Sequence, residues 1–202
     1  LARELHDSVA QELGYLILKT AATRELVATR ESEQVESALA EIAGIAEEAY
    51  LGLREAIFSL RVATHSGPEF WPALREYMHE YQTHYGVEVR LLADESSGVM
   101  FSPKVATQLS RIILEALANV RKHSKARRAW VRAEREGSQF RLTVEDDGQG
   151  FDAARVAEAG GSQIGLEIMR ERAESIGGSL ELDSGPGKGT RVVVRVPIEQ
   201  RG

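Results

Sequence analysis

The first 62 residues contain no proline and only three glycines, Gly14, Gly44 and Gly52, and their apolar side chains recur at helical spacing. Leu5, Val9, Leu13, Leu16, Thr20 and Val27 form one stripe, and Val35, Leu39, Ile42, Ala46, Ala49, Leu53, Ile57 and Leu60 form a second. The polar stretch TRESEQ between them suits a tight helix–helix connection, with Ser32 as a cap. The pattern predicts an antiparallel pair of helices, each about 40 Å long. Two helices alone bury too little apolar surface to be stable. Residues 1–62 are therefore expected to form a helical hairpin that pairs with a second copy into a dimeric four-helix bundle. The alternative is a hairpin packed on the rest of its own chain.

The texture then changes. ATHSGPEF reads as a linker punctuated by Gly67-Pro68, placed at residues 63–69. EFWPALREYMHEYQTHYG is helical and ends at Gly86, and VEVRLLA alternates like a strand. A long helix is expected from Pro103 to Ser124, carrying Val105, Leu109, Ile112, Ile113, Ala116 and Val120. RRAWVRAERE and FRLTVEDD read as a β-hairpin, GLEIMRERAESIGG as a short helix, and SLELDS and TRVVVRVP as another strand pair across GPGKG. Residues 70–198 thus predict an α+β sandwich with one mixed sheet and helices on one face. Eleven of the 18 glycines lie after residue 140, so backbone-mediated binding is expected there.

Composition narrows the chemistry. The chain has no cysteine, which removes disulfides, thiol nucleophiles and Cys-based zinc sites. A net charge of −6 and a pI near 5.5 argue against direct nucleic-acid binding. No apolar run approaches the roughly 20 residues of a membrane helix. Because the chain starts at Leu1, inside a helical pattern, it is expected to be a cytoplasmic piece of something longer, with any sensor or membrane anchor upstream.

Several constellations carry chemistry. In ARELHDSVAQ, an imidazole (His6), a carboxylate (Asp7) and an amide (Gln11) fall within two helical turns. On its own, such a histidine reads as a solvated surface residue. Asn119 is the only asparagine, inside a helix that gains nothing from it. Glu115 and His123 lie one turn either side on the same face, with Lys122 alongside. A carboxamide oxygen suits Mg²⁺, although a plain polar face fits the same residues. VEDDGQGF runs a strand ending in Asp146-Asp147 into Gly148 and Gly150. The Asp146 carboxylate can accept from an exocyclic amine, though a lone D-x-G-x-G can be a simple turn. GGSQIGL puts Gly165 before a helix N-terminus, which offers free N–H groups to phosphate. GPGKGT, alone, would read as a hairpin turn. The ordered run of four is far more specific than any one of them.

EALANVRKH, EDDGQGF, GGSQIGL and GPGKGT resemble the N, G1, G2 and G3 boxes of the ATP-binding fold shared by histidine kinases, DNA gyrase, the ATP-dependent heat-shock chaperone and mismatch-repair ATPases. ARELHDSVAQ resembles the H-D-x-x-x-Q phosphoacceptor box of the histidine kinases that pair with NarL-type response regulators, and LREAIFSLR is similar to the end of that subfamily's second dimerisation helix. The resemblance spans roughly residues 1–62 and 70–198. It implies a Bergerat (GHKL-type) ATP-binding domain, ATP and Mg²⁺ as cofactors, a homodimer, and a NarL-type receiver domain as partner. It further implies His6 as phosphoacceptor, Asp7 as its proton acceptor and Gln11 as the residue orienting water for dephosphorylation of the regulator, so a kinase that is also a phosphatase. Asn119 would hold Mg²⁺ with Glu115 beside it, and Lys122 and His123 would reach phosphate. Asp146 would bind the adenine amine, with Gly148 and Gly150 giving it room. Gly165, Gly187, Gly189 and Thr190 would line the pocket, and residues 151–164 would form the lid, here short and alanine-rich.

Phosphoryl transfer needs an in-line nucleophile and little other covalent help, which a neutral imidazole beside a carboxylate supplies. Two other readings remain open on residues alone: an ATP-driven conformational machine of the gyrase or chaperone kind, in which Glu115 activates water, and a nucleotide-binding scaffold without kinase activity. His65, His79 and His84 lack comparable neighbours and read as linker or surface residues.

Overall fold

The computed structural model describes residues 14–24, 27, 32–64, 70–93, 100–152 and 164–198. The chain divides into two compact units, Leu1–Ile57 and Phe58–Gly202. His6, Asp7 and Gln11 lie outside the described residues, as do 65–69 of the expected linker and 153–163 of the expected lid.

In the first unit, residues 14–24 are helical (α1), and a 33-residue helix, α2, runs Ser32–Thr64. Side chains of α1 reach Glu41 of α2: the Tyr15 hydroxyl donates to Oε1 at 2.9 Å and Lys19 Nζ lies 2.7 Å from Oε2. Tyr15 and Glu41 are exposed and Lys19 partly so, and such solvent-facing pairs stabilise only modestly. What α2 buries here is small: Ala38, Ala49 and Ala56. The large members of the apolar stripes stay open in the single chain, among them Leu39, Leu53 and Ile57, together with Ile17 and Leu18 at about 70% exposure.

The last turns of α2 belong to the second unit. Phe58 stacks on Tyr77 with ring centroids 5.4 Å apart, Val62 is fully buried, and Arg61 bonds Glu76. Tyr77 lies on α3 (Phe70–Tyr85), whose inner face of Phe70, Leu74, Met78 and Tyr81 is buried and which stops at Gly86 with φ +66°. Strand β1 (Glu88–Ala93) follows.

Helix α4 (Pro103–Asn119) starts as its sequence predicts. Ser102 caps it by accepting from the Val105 N–H, and Pro103 occupies the first turn, where its missing donor costs nothing. Its apolar face, Leu109, Ile112, Ile113 and Leu117, is wholly buried. The predicted helix to Ser124 departs from α geometry at its end: Val120–Ser124 form a π-helical turn closed by Lys125 in the left-handed region, φ 54°.

Strands β2 (Arg128–Glu136) and β3 (Gln139–Asp146) form the expected hairpin, α5 (Ile164–Glu174) follows, and β4 (Ser179–Ser184) and β5 (Thr190–Pro197) complete one sheet ordered β1-β2-β3-β5-β4. The sheet is mixed, as expected: β1 pairs parallel with β2 and every other pair is antiparallel. Alternation sends Ala129, Val131, Ala133, Phe140, Leu142, Val144, Val192, Val194 and Val196 to the helix-covered face. The other face carries Trp130, Arg132, Arg141, Glu145, Arg191 and Arg195.

Because Phe58 is 4% exposed in the second unit's core, Phe58→Ala should destabilise that unit by about 3–5 kcal/mol. Both tryptophans, Trp71 and Trp130, lie in this unit, so denaturant unfolding followed by their fluorescence reads the loss directly.

Candidate nucleotide-binding site

A cavity of about 620 Å³ opens in the second unit. Its helical wall is α4 and the π-helical turn, which contribute Glu115, Asn119, Lys122 and His123. Its sheet wall is β3 and β5, which contribute Val144, Asp146, Thr190 and Val192; Gln149, Gly150 and Phe151 join from the loop after β3, and Gly165 and Leu166 from the first turn of α5. Eight of the fourteen sequence-predicted site residues therefore line one space. Of the other six, Gly148 and Gly189 sit in loops close to Asp146, Gly187 lies in the β4–β5 loop with its N–H donating to the Gln149 carbonyl, and His6, Asp7 and Gln11 are outside the described residues. His79 and His84 are exposed on α3, away from this cavity.

The two adjacent aspartates divide sharply. Asp147 is consumed by structure: its Oδ1 accepts from the Arg127 and Arg128 backbone N–H groups and its Oδ2 from Arg128 Nε, each at 2.9 Å. Burial alone would raise its pKa, but these donors outweigh it and hold the carboxyl below its ordinary value. Asp146 is 5% exposed and lines the cavity. Burial pushes its pKa up, opposed by the backbone N–H groups of Gly148 and Thr190. It keeps acceptor capacity toward the cavity, as a carboxylate with two oxygens and few donors must.

The loop glycines act by close approach. A Cβ on Gly189 would lie 2.0 Å from the Asp146 carbonyl oxygen, at a φ of +73° that L side chains avoid. A Cβ on Gly150 would meet the Gly185 carbonyl at 2.1 Å, and one on Gly165 the Glu115 carboxylate at 2.4 Å. The space these residues leave is thus taken up by other parts of the protein: the loops after β3 and β4 close together beside Asp146, and α5 closes on Glu115. Ser184 adds a polar tie: it accepts from the Phe151 N–H at 3.0 Å and lies 3.0 and 3.1 Å from Gly189 O and Thr190 Oγ1.

Sequence reading missed the apolar lining, Ala116, Val120, Val144, Leu166 and Val192, because these residues sit in ordinary helix and strand periodicity. It also missed Gln149 and Ser184, whose only signal was position beside the glycine motifs.

The cavity's size is in the range of small-ligand sites. Its donor set fits a purine nucleotide with a hard cation: a buried acceptor, Asp146, a carboxamide oxygen, Asn119, and two basic side chains, Lys122 and His123. Gly189→Ala should shift the end of β3 and lower the melting temperature by several degrees, about 2–4 °C for each kcal/mol of strain, in a thermal unfolding scan.

Residues 104–200 match the family described as histidine kinase-, DNA gyrase B-, and HSP90-like ATPase, and residues 1–65 match a family described as histidine kinase. The sensor histidine kinase LiaS of Bacillus subtilis is 35% identical over 204 residues, covering 100% of this chain and 55% of LiaS. The signal transduction histidine-protein kinase/phosphatase DegS of Brevibacillus brevis is 27% identical over 198 residues, covering 98% of this chain and 50% of DegS. The chain thus spans about half the length of these curated relatives. The histidine kinase domain of the blue-light activated kinase from Erythrobacter litoralis EL346 superposes with a TM-score of 0.56 at 20% identity, over 98% of this chain and 94% of that one, a likeness of fold. With a histidine kinase match over its N-terminal helical region and a histidine kinase-like ATPase match over its sheet domain, the chain belongs to the histidine kinase family.

Proposed function

We propose that this chain is the transmitter portion of a two-component sensor kinase: it transfers the γ-phosphoryl group of ATP to His6 and then to an aspartate of a NarL-type response regulator. The single observation that carries the reading is the cavity that gathers Glu115, Asn119, Lys122, His123 and Asp146 in a chain whose residues 1–65 match a histidine kinase family. Residues 1–62 act as the dimerising phosphoacceptor hairpin, residues 63–69 as the connection and 70–198 as the catalytic domain. The exposed Leu39, Leu53 and Ile57 are the surface a second copy covers. Among the described residues no helix is long and apolar enough to cross a membrane, and this portion works in the cytoplasm, where ATP and the regulator are.

Asp146 accepts from the adenine amine. Asn119 holds Mg²⁺, with Glu115 beside it, and the ion supplies charge neutralisation along the phosphates. Lys122 and His123 orient the phosphate oxygens, and Gly165 leaves the first turn of α5 free of a side chain where it meets Glu115. Gly148, Gly187, Gly189 and Thr190 shape the loops around the base. His6 is nucleophilic when neutral, and Asp7 fixes its tautomer and takes its proton. Gln11, four residues beyond Asp7 in the sequence, positions water against the regulator's phospho-aspartate without needing to ionise. The relative named as both kinase and phosphatase supports this second activity.

Two sets of variants test the assignment. Asp146→Asn should weaken nucleotide binding about tenfold, since an amide presents a donor where the base needs an acceptor, while Asn119→Ala should act only when Mg²⁺ is present. Titration calorimetry with and without the metal separates them, and equal affinities in parent and variants would misplace the site.

With γ-labelled ATP, the parent should take up acid-labile, base-stable label, and His6→Gln should lose it while binding nucleotide as before. Gln11→Ala should keep autophosphorylation and slow loss of label from a phosphorylated NarL-type regulator. Release of free phosphate with no label on protein would instead favour an ATP-driven conformational machine.

A further inference from the structure

The last carbonyls of a helix have no N–H partner within it. At the end of α4 two of them are satisfied from a different element, and by one residue. The backbone N–H of Gln149 donates to the Ser124 carbonyl, and its side-chain Nε2 donates to the His123 carbonyl, each at 2.7 Å. The Gln149 carbonyl in turn accepts from the Gly187 N–H at 2.6 Å, so this one residue touches the helix end and the β4–β5 loop together. Its neighbour Gly148 packs as closely on the same helix end: a Cβ there would lie 2.3 Å from the Ser124 carbonyl oxygen.

The helix end needs this support. Val120–Ser124 is π-helical, a wider turn than α, and it is followed by a non-glycine residue in the left-handed region. Within the turn, Ser124 Oγ donates to the Val120 carbonyl at 2.7 Å and accepts from the Ala126 N–H at 3.0 Å. The carbonyl of His123 is bound by the Gln149 amide. Lys122 and His123, the basic residues of the helical wall, belong to this turn, while Asp146 lies three residues before Gln149 on the strand that feeds the loop.

We propose that Gln149 is a positioning residue that caps α4 from the base-binding loop, so that holding the base at Asp146 sets Lys122 and His123 for the phosphates. The proposal rests on the nucleotide reading of the cavity. Gln149 also lines the cavity, and the effect assigned to it passes through the His123 carbonyl. The Gln149 side chain is exposed, so substitutions there leave the core intact.

The experiment compares adenosine, which has a base and no phosphate, with Mg-ADP, both titrated into the full chain by displacement of a fluorescent adenine nucleotide. Gln149→Met keeps the side chain's length and removes its donor. It should leave adenosine affinity unchanged and reduce Mg-ADP affinity about three- to tenfold, the range of one hydrogen bond's net effect. Gln149→Glu, isosteric and equally unable to donate, should lose at least as much for Mg-ADP and again spare adenosine. Equal losses for both ligands would mean a merely structural role and would overturn the proposal, as would unchanged affinity for both. A parent that binds neither ligand would instead sink the nucleotide reading itself, and this inference with it.

Discussion

The second unit depends on how α4 lies against the sheet. Leu109, Ile112, Ile113 and Leu117 are completely buried there, each contributing roughly 1.5–3 kcal/mol of transfer free energy. Helical geometry then leaves no choice about the neighbouring face: with one side committed to the core, Glu115 and Asn119 turn toward the cavity. The Tyr81 hydroxyl donates to the Leu117 carbonyl at 2.8 Å, which ties α3 to the same helix, and burial pushes the phenol's pKa up. The chemical face of α4 is thus a consequence of its apolar one.

Charge is handled differently on the two sides of the sheet. On the open side, Glu145 bonds both Arg132 and Arg191, while Arg195 pairs with Glu181 and Arg141 with Glu136. Beneath this canopy Thr143 and Val193, directly paired across β3 and β5, are almost fully buried. Such pairs contribute modestly one by one, and their service is to cover an otherwise wet sheet face. On the cavity side Asp146 accepts from backbone N–H groups, and burial raises its pKa. A carboxylate held in this way at the floor of a cavity keeps acceptor strength for a ligand.

Much of this was legible beforehand, for identifiable reasons. Proline at 103 and the glycines at 86 and 177 mark element ends that local chemistry enforces, and the strands of residues 128–146 and 179–197 carry the β-rich pattern of two hairpins. The choice of Asp146 over Asp147 followed from the resemblance, but its physical basis is tertiary: Asp147 is spent on the Arg127 and Arg128 backbone across the hairpin. The hand-over of α2 between units was hidden, because the apolar period runs through Ile57, Phe58 and Leu60 without a break. Periodicity reports that a face is buried, and carries no label for which partner buries it.

By itself the sequence determined the elements, the order of the glycine motifs and the residue types able to meet a nucleotide, since propensity, capping and backbone freedom act over a few residues. Only the tertiary structure decided that α4 ends in a π-helical turn, that Gln149 caps it from the loop after β3, and that Gly148, Gly150 and Gly189 are glycines because other backbone presses on them. Those outcomes depend on contacts between segments about 25 to 45 residues apart, such as Ser124 with Gln149 and Gly150 with Gly185, and nothing local to either segment encodes the distance between them.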